Sequence, residues 1–201
     1  MKPWHVELFG GPVSLGDFAT LIATPDRKVR LTVWSDLRGK GRIAIGDYCL
    51  ICPGVRISAA TEITIGASCM LAQGAFVTDA DWHGLYDRGE PIGRTASVHI
   101  EDNVWIGDSA IVCKGVTIGE NSVIGAGSVV VRDIPANAVA AGNPAAVLKQ
   151  LEPGRPIKTR GDWLADPEEL SAQFDLIDRH LMKDNTWFGW LRSLIRPRRG
   201  D

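Results

Sequence analysis

Residues 100–130 read Ile100-Glu-Asp-Asn-Val-Trp-Ile-Gly-Asp-Ser-Ala-Ile-Val-Cys-Lys-Gly-Val-Thr-Ile-Gly-Glu-Asn-Ser-Val-Ile-Gly-Ala-Gly-Ser-Val-Val130. A large aliphatic residue returns every six positions, at Ile100, Ile106, Val112, Ile118, Ile124 and Val130. Two residues before each of the last five stands a compact side chain: Val104, Ala110, Val116, Ser122 or Ser128. Glycine follows directly at Gly107, Gly119 and Gly125. A period of six fits neither the two-residue pleat of a strand nor a helical turn. It suits a short flat strand plus one tight corner, so that three hexads close one triangular coil. The large side chain then points into the prism and the compact one fits beside it at the corner. The glycine is expected to supply the φ > 0 of the turn.

The rule extends outward to Phe9, Leu15 and Leu21, to Ile45, Ile51 and Ile57, and to Ile65, Leu71 and Val77, with Gly10, Gly16, Gly46 and Gly66 behind four of them. Its interruptions are informative. Leu21 and Leu31 are ten apart, and Thr24-Pro-Asp-Arg-Lys28 reads as a polar bulge at a corner. The intervals 31–45 and 57–65 each carry about two extra residues, which a corner absorbs. Val77 and Ile100 lie twenty-three apart, so seventeen residues are inserted there. The extruded loop 78–99 is polar and aromatic, and a solenoid that throws out one long loop uses it for binding. Beyond Val130 the pattern ends at Asp133-Ile-Pro135, and Gly142-Asn-Pro144 leads out of the prism. Residues 153–165 read as irregular, 167–183 as a helix opening with acidic residues, and 185–195 as a second helix. The expected organisation is a β-helix over 1–145 and a largely helical extension over 146–201, which would cap the open end of the coil.

A chain of 201 residues with a net charge of −2 can bury a core and has no general attraction to nucleic acid. No run of 18 apolar residues occurs and Met1-Lys-Pro-Trp-His5 opens no secretory signal, so a soluble, cytoplasmic protein is the expectation. Cys49-x-x-Cys52 is a weak metal or disulfide signal. The hexad phase explains the cysteines more simply, with Cys49 and Cys69 in the compact inward slot and Cys52 and Cys113 where glycine is usual. No metal is expected.

Of four histidines, His5, His99 and His180 read as structural or surface residues, whereas His83 lies in the middle of the loop beside Asp79, Asp81, Trp82, Tyr86 and Arg88. A general base needs an imidazole, a partner to fix its tautomer, and a partly dry pocket, all of which this loop could furnish. In 185–196 (Asn185-Thr-Trp-Phe-Gly-Trp-Leu-Arg-Ser-Leu-Ile-Arg196), Trp187, Trp190, Leu191, Leu194 and Ile195 share one helix face, with Arg192, Arg196, Arg198 and Arg199 adding positive charge. That face either packs within the protein or makes 185–199 a peripheral membrane contact at the inner face of the membrane.

Together, Ile100-Glu-Asp-Asn-Val-Trp-Ile-Gly107, Gly115-Val-Thr-Ile-Gly119, Ile124-Gly-Ala-Gly-Ser-Val-Val130, Ile134-Pro135 and Ala141-Gly-Asn-Pro-Ala145 resemble the hexapeptide-repeat acyltransferases. The chain is most similar to the branch of galactoside, maltose and polysaccharide O-acetyltransferases. The resemblance implies a left-handed parallel β-helix, a homotrimer with active sites between neighbouring prisms, and acetyl-CoA as co-substrate. His83 would be the catalytic base for a saccharide hydroxyl, oriented by Asp79 or Asp81, with Trp82, Tyr86 and Arg88 on the acceptor side. Trp105 would wall the pantetheine channel, and a backbone N–H near Asp108 would meet the oxyanion. Ala126 would bind the pantetheine arm, Val131 and Arg132 would lie near the outer end of the coenzyme, and Lys149 would meet its 3′-phosphate. A further basic family position falls on Ala146, a gap that Lys114 or Arg132 could fill. The N-terminal helical segment of the maltose and galactoside enzymes has no counterpart here, which shifts the expected acceptor towards a glycan or nucleotide-linked precursor. Three other readings stay open: N-acylation of an amino sugar or small amine, a non-catalytic scaffold, and a zinc hydration catalyst. The last needs three imidazoles with two closely spaced, whereas His83 and His99 are sixteen apart.

Overall fold

Each hexad forms one short strand and one corner, and the strands stack in parallel register into the three faces of a left-handed β-helix. The computed structural model describes residues 3–34, 41–182 and 186–196. The first coil is β1 (Val6–Phe9), β2 (Val13–Leu15) and β3 (Thr20–Leu21); the second is β4 (Val29–Val33), β5 (Arg42–Ile45) and β6 (Leu50–Ile51). The third is β7 (Arg56–Ala59), β8 (Glu62–Ile65) and β9 (Met70–Leu71); the fourth is β10 (Phe76–Thr78), β11 (Val98–Ile100) and β12 (Trp105–Ile106). The fifth is β13 (Ile111–Val112), β14 (Thr117–Ile118) and β15 (Val123–Ile124). The last has β16 (Val129–Val130), a bridge of Ile134 to Ile118, and β17 (Ala138–Gly142). Face A is β1-β4-β7-β10-β13-β16, face B is β2-β5-β8-β11-β14, and face C is β3-β6-β9-β12-β15-β17.

The large aliphatics form three inward columns. Leu31, Ile57, Val77, Val112 and Val130 stack on face A, Ile45, Ile65, Ile100 and Ile118 on face B, and Ile51, Leu71, Ile106 and Ile124 on face C, all buried. Each such side chain contributes about 1.5–3 kcal/mol by leaving water. The compact partners Val104, Ala110, Val116, Ser122 and Ser128 are buried as expected, and so are Cys49 and Cys69. Their polar atoms are satisfied at the corner: Ser122 Oγ donates to the Pro135 carbonyl at 2.7 Å, and the Cys49 thiol to the Gly66 carbonyl at 3.0 Å.

The glycines differ from the expectation. Positive φ falls on the third residue after most of the large aliphatics, at Tyr48, Ser68, Asn103, Ser109, Asn121 and Asn137 and at Gly54, Gly74, Gly115 and Gly127. Most glycines directly behind the aliphatic serve another end, the close approach of successive coils. A Cβ on Gly46 would lie 2.7 Å from the Gly66 carbonyl carbon, and one on Gly107 would lie 2.6 Å from the Ala126 nitrogen. The left-handed corners tolerate asparagine, whose side chains join the coils in a ladder from Asn103 to Asn121 to Asn137 at 2.9 and 3.0 Å.

The chain divides into two compact units, Met1–Gly161 and Asp162–Asp201. The first runs past the boundary at 145 read from the sequence, because the turn at 143–144 folds β18 (Ala145–Gln150) back onto β17 as an antiparallel strand. Within the stretch read as irregular, α1 (Arg160–Leu164) forms, and Arg160 Nε and Gly161 N donate to the Tyr48 carbonyl and Ser68 Oγ at a prism corner. The second unit holds α2 (Pro167–Met182), capped by Asp166 Oδ1 on the Glu168 and Glu169 amides, and α3 (Trp187–Ile195). Among the described residues no helix is long and apolar enough to cross a membrane.

Candidate functional site

The insertion leaves the prism at the corner between faces A and B, where β10 ends, and returns into β11 as a hairpin. Asp81 N donates to the Arg94 carbonyl at 2.8 Å, Gly93 N to the Asp81 carbonyl at 2.7 Å, and Ala96 N to the Asp79 carbonyl at 2.9 Å. Beneath these legs the Asp79 carboxylate is fully buried. Oδ1 accepts from Ala60 N, and Oδ2 from both Thr61 N and Glu62 N, each at 2.7 Å. One carboxylate therefore closes the enlarged corner between β7 and β8 and fixes the base of the loop to it. Gly93 passes so close to the loop tip that a Cβ there would lie 2.5 Å from the His83 carbonyl oxygen.

Above this base the tip encloses a cavity of about 1050 Å³, walled by Trp34, Trp82, Leu85, Pro91 and Ile92 with the carboxylates of Asp81, Asp87 and Glu90. Trp82 Nε1 donates to Thr78 Oγ1 at 3.1 Å, and its ring meets Trp34 edge-on at 6.5 Å. Phe9 extends the cluster at 4.7 Å from Trp34. Tyr86 stands fully exposed at the rim, and Arg88 Nη1 donates to the Gly84 carbonyl at 2.6 Å, tying the tip together. His83 is exposed beside this cavity, and among the described residues no group hydrogen-bonds its imidazole. Asp81 Oδ1 instead takes Lys114 Nζ at 2.6 Å, so neither aspartate expected to orient His83 hydrogen-bonds its imidazole among the described residues. Lys114, a candidate for a phosphate contact, is committed to the loop.

The residues expected along a coenzyme divide into two groups. Trp105 projects from face C, and the register Trp105–Val123–Val139–Lys149 sets Lys149 three strands away in the same column, about 14 Å at ordinary strand spacing. Asp108 and Ala126 occupy the corner between faces C and A on successive coils, where Gly127 N donates to the Asp108 carbonyl at 2.7 Å. Among the described residues the Asp108 N–H has no hydrogen-bond acceptor. Val131 and Arg132 sit elsewhere, at the corner between A and B that also carries Lys114 and the loop. Face A thus separates His83 from Asp108.

Cys113, at the loop corner, is half-buried, and burial raises its thiol above the ordinary cysteine range, which removes a competing nucleophile. Among the described residues no group of three or more His, Cys, Asp or Glu is arranged to hold a metal. Sequence reading missed Trp34 as a cavity wall and Asp79 as the anchor of the 60–62 corner. The two extra residues between Ile57 and Ile65 were the only signal that this corner needed a partner for its amides.

Residues 97–132 match the family model for the bacterial transferase hexapeptide of six repeats. A solved hexapeptide-repeat containing acetyltransferase of Vibrio cholerae is 31% identical, with 68% of this chain and 73% of that one covered and a TM-score of 0.53. The galactoside O-acetyltransferase of Escherichia coli K12 is 38% identical over 109 residues, 54% of this chain and 44% of that protein. A mutant N-acyltransferase of Bacillus cereus, solved with dTDP and coenzyme A, is 20% identical, with coverage of 85% and 84% and a TM-score of 0.58; that likeness speaks for the fold alone. The chain spans 39–44% of the length of the curated relatives it matches.

Proposed function

The chain belongs to the hexapeptide-repeat acyltransferase family, and on that premise we propose that it moves an acetyl group from acetyl-CoA to a hydroxyl of a saccharide or glycan precursor. His83 takes the proton of the acceptor hydroxyl as that oxygen attacks the thioester carbonyl. The oxyanion is met by the Asp108 N–H, which needs no reorganisation because the corner already holds it without an acceptor. The carbon–sulfur bond then breaks, and the leaving thiolate takes the proton from His83. Both substrates are brought together, so no covalent enzyme intermediate is required.

The observation that carries this reading is the separation of the two halves across face A. His83, Val131 and Arg132 share one corner, and Trp105, Asp108, Ala126 and Lys149 lie around another. A second copy presenting its corner between C and A to the loop corner of the first completes the site, and threefold closure makes three equivalent sites. The partner would also supply the dry surroundings that exposed His83 lacks in one chain. Asp79 acts through the corner it holds rather than on the imidazole, and Trp82 and Tyr86 offer stacking surfaces to a pyranose ring.

The test is thiol release from acetyl-CoA over a panel of oligosaccharides and nucleotide sugars, with light scattering of the same sample. Acceptor-dependent release by a particle of about three times 21.8 kDa is expected. A fully active monomer would overturn the shared site, and no release with any acceptor would favour a scaffold. One observation favours a second reading: Asp87 and Glu90 in the cavity wall suit an acceptor bearing an amine. Faster turnover of amino sugars than of their hydroxyl counterparts would make the reaction N-acylation.

A further inference from the structure

The loop leans towards the N-terminal end of the prism. It leaves the fourth coil, yet Trp82 at its tip meets Trp34 of the second coil at 6.5 Å between ring centres. From Trp34 the aromatic surface continues to Phe9 of the first coil, at 4.7 Å. Rings from the loop, the second coil and the first thus follow one another along the corner between faces A and B, starting at the cavity beside His83. Trp34 and Phe9 are about half exposed, at 49% and 53%. The first two coils are pressed together there: a Cβ on Gly10, which has positive φ, would lie 2.1 Å from the Val33 carbonyl oxygen. The backbone therefore fixes this pair of rings before any ligand arrives. Beside the rings runs a column of hydroxyls. Phe9, Thr32, Ser58 and Thr78 are register partners on the outer side of face A, spanning about 14 Å at ordinary strand spacing. Thr32 Oγ1 donates to Ser58 Oγ at 3.0 Å, and the Ser58 hydroxyl proton has no acceptor among the described residues.

We infer that Trp34 and Phe9 form a distal subsite that holds the sugars of a linear glycan beyond the one that is acetylated. The acceptor is then an uncharged oligosaccharide or polysaccharide chain, not a free monosaccharide. This assignment rests on the acyl-transfer reading for the sugar beside His83. A pyranose has C–H faces that pack on aromatic rings and a rim of hydroxyls, and this corner offers rings with hydroxyls alongside. Pockets of about 300–1000 Å³ take drug-sized ligands, so a cavity of about 1050 Å³ exceeds one sugar ring before the subsite is added. A nucleotide-linked sugar would also bring a flat ring to stack on Trp34. Its diphosphate, however, would meet a net acidic lining: with Asp81 paired to Lys114, the carboxylates of Asp87 and Glu90 stand against Arg94. A chain without charge meets no such penalty, and for that reason the glycan is the occupant assigned.

Retention of the full chain on immobilised homo-oligomers of glucose, galactose, mannose and N-acetylglucosamine, from monosaccharide to hexasaccharide, decides it, with nucleotide sugars as a further arm. In at least one series affinity should rise about three- to tenfold for each ring engaged and level off once the chain reaches Phe9. Trp34→Leu, which keeps apolar bulk but removes the flat ring, should erase the gain with length. Phe9→Leu should erase only its last step, and Trp34→Phe should keep most of it. The readout is the ratio of long to short oligomer within each variant, which a general loss of folded protein does not move. Thiol release from acetyl-CoA with the same compounds separates the two readings. Length-dependent retention through Trp34 without thiol release would break the acyl-transfer reading and keep the subsite. Release as fast with a monosaccharide as with its hexasaccharide would do the reverse. The subsite also falls if no series is retained, if Trp34→Leu leaves the gain intact, or if a nucleotide sugar is held more tightly than every oligomer. A change in particle size caused by Trp34→Leu or Phe9→Leu without glycan would overturn it too, because the rings would then be a contact between copies.

Discussion

The stretch 100–130 and the loop 79–96 are neighbours in sequence but hold their shape by opposite means. The coils repeat one solution: an aliphatic column inside, a backbone ladder along each face, and a left-handed corner every sixth residue. The loop has no column and little ladder. It depends on one buried carboxylate, a few leg-to-leg hydrogen bonds and an ion pair to Lys114. Redundancy makes the coil tolerant, whereas the loop concentrates its support in few groups and leaves His83 exposed. Substitutions in the two regions should therefore separate activity from stability.

His83→Ala should produce the widest separation. Turnover should fall about 10²–10⁴-fold, the worth of a positioned general base, while melting temperature and particle size hold, because the exposed His83 imidazole hydrogen-bonds no group among the described residues. Near-wild-type turnover would remove the imidazole from the mechanism. Ile124→Ala is the converse experiment. It empties a fully buried position in the column on face C and should cost about 2–5 kcal/mol, lowering the melting temperature by about 2–4 °C per kcal/mol. Turnover per folded molecule should stay close to normal, and a selective loss of turnover would mean that the column also sets the geometry of the neighbouring corner of Asp108 and Ala126.

Asp79→Asn tests the join between the regions. The amide would face three backbone N–H groups with one acceptor oxygen and a donor, at a cost of about 2–4 kcal/mol. Faster amide exchange should be confined to 60–62 and the loop, with the fifth coil still protected, and turnover should fall because His83 rides on that base. Exchange spreading through the coils would show that the carboxylate supports the prism rather than the loop.

The contrast also explains what the sequence disclosed. A six-residue period states the environment of every sixth residue, so the inward columns, the compact corner residues and the place of the insertion were legible from Ile100, Val104 and their repeats. The role of the glycines was misjudged because period alone does not say which corner residue takes positive φ. Gly46 and Tyr48 belong to one corner, and only the backbone path assigns close approach to the first and the left-handed turn to the second. Loop residues obey no period. Asp79 and Asp81 are two apart in one acidic stretch, yet one is fully buried on the 60–62 amides and the other pairs with Lys114, thirty-three residues on. Such partners arise from chain reversal, which composition does not encode. Loop composition singled out His83, and the family resemblance pointed to Trp105, Asp108, Ala126 and Lys149 as expected coenzyme contacts, but neither could show that face A divides the first from the others.

Lys149 supplies the smallest and most discriminating effect, because it lies on the frame yet is proposed to act on the substrate. It stands exposed on β18, three strands along face C from Trp105, in a column too long for one group to touch both the thioester and the far end of the donor. A lysine there acts as a point charge on a phosphate rather than as a bidentate fork. Lys149→Ala should therefore raise KM for acetyl-CoA by about three- to tenfold, the worth of one exposed charge-assisted contact, and leave turnover at saturation nearly unchanged, since the contact is equal in ground and transition states. The melting temperature should not move. The decisive comparison uses the donor lacking the 3′-phosphate: the wild type should prefer the complete coenzyme, and the variant should lose most of that preference. Equal loss with both donors would take Lys149 off the phosphate and leave Arg132, at the other corner, as the cation to test next.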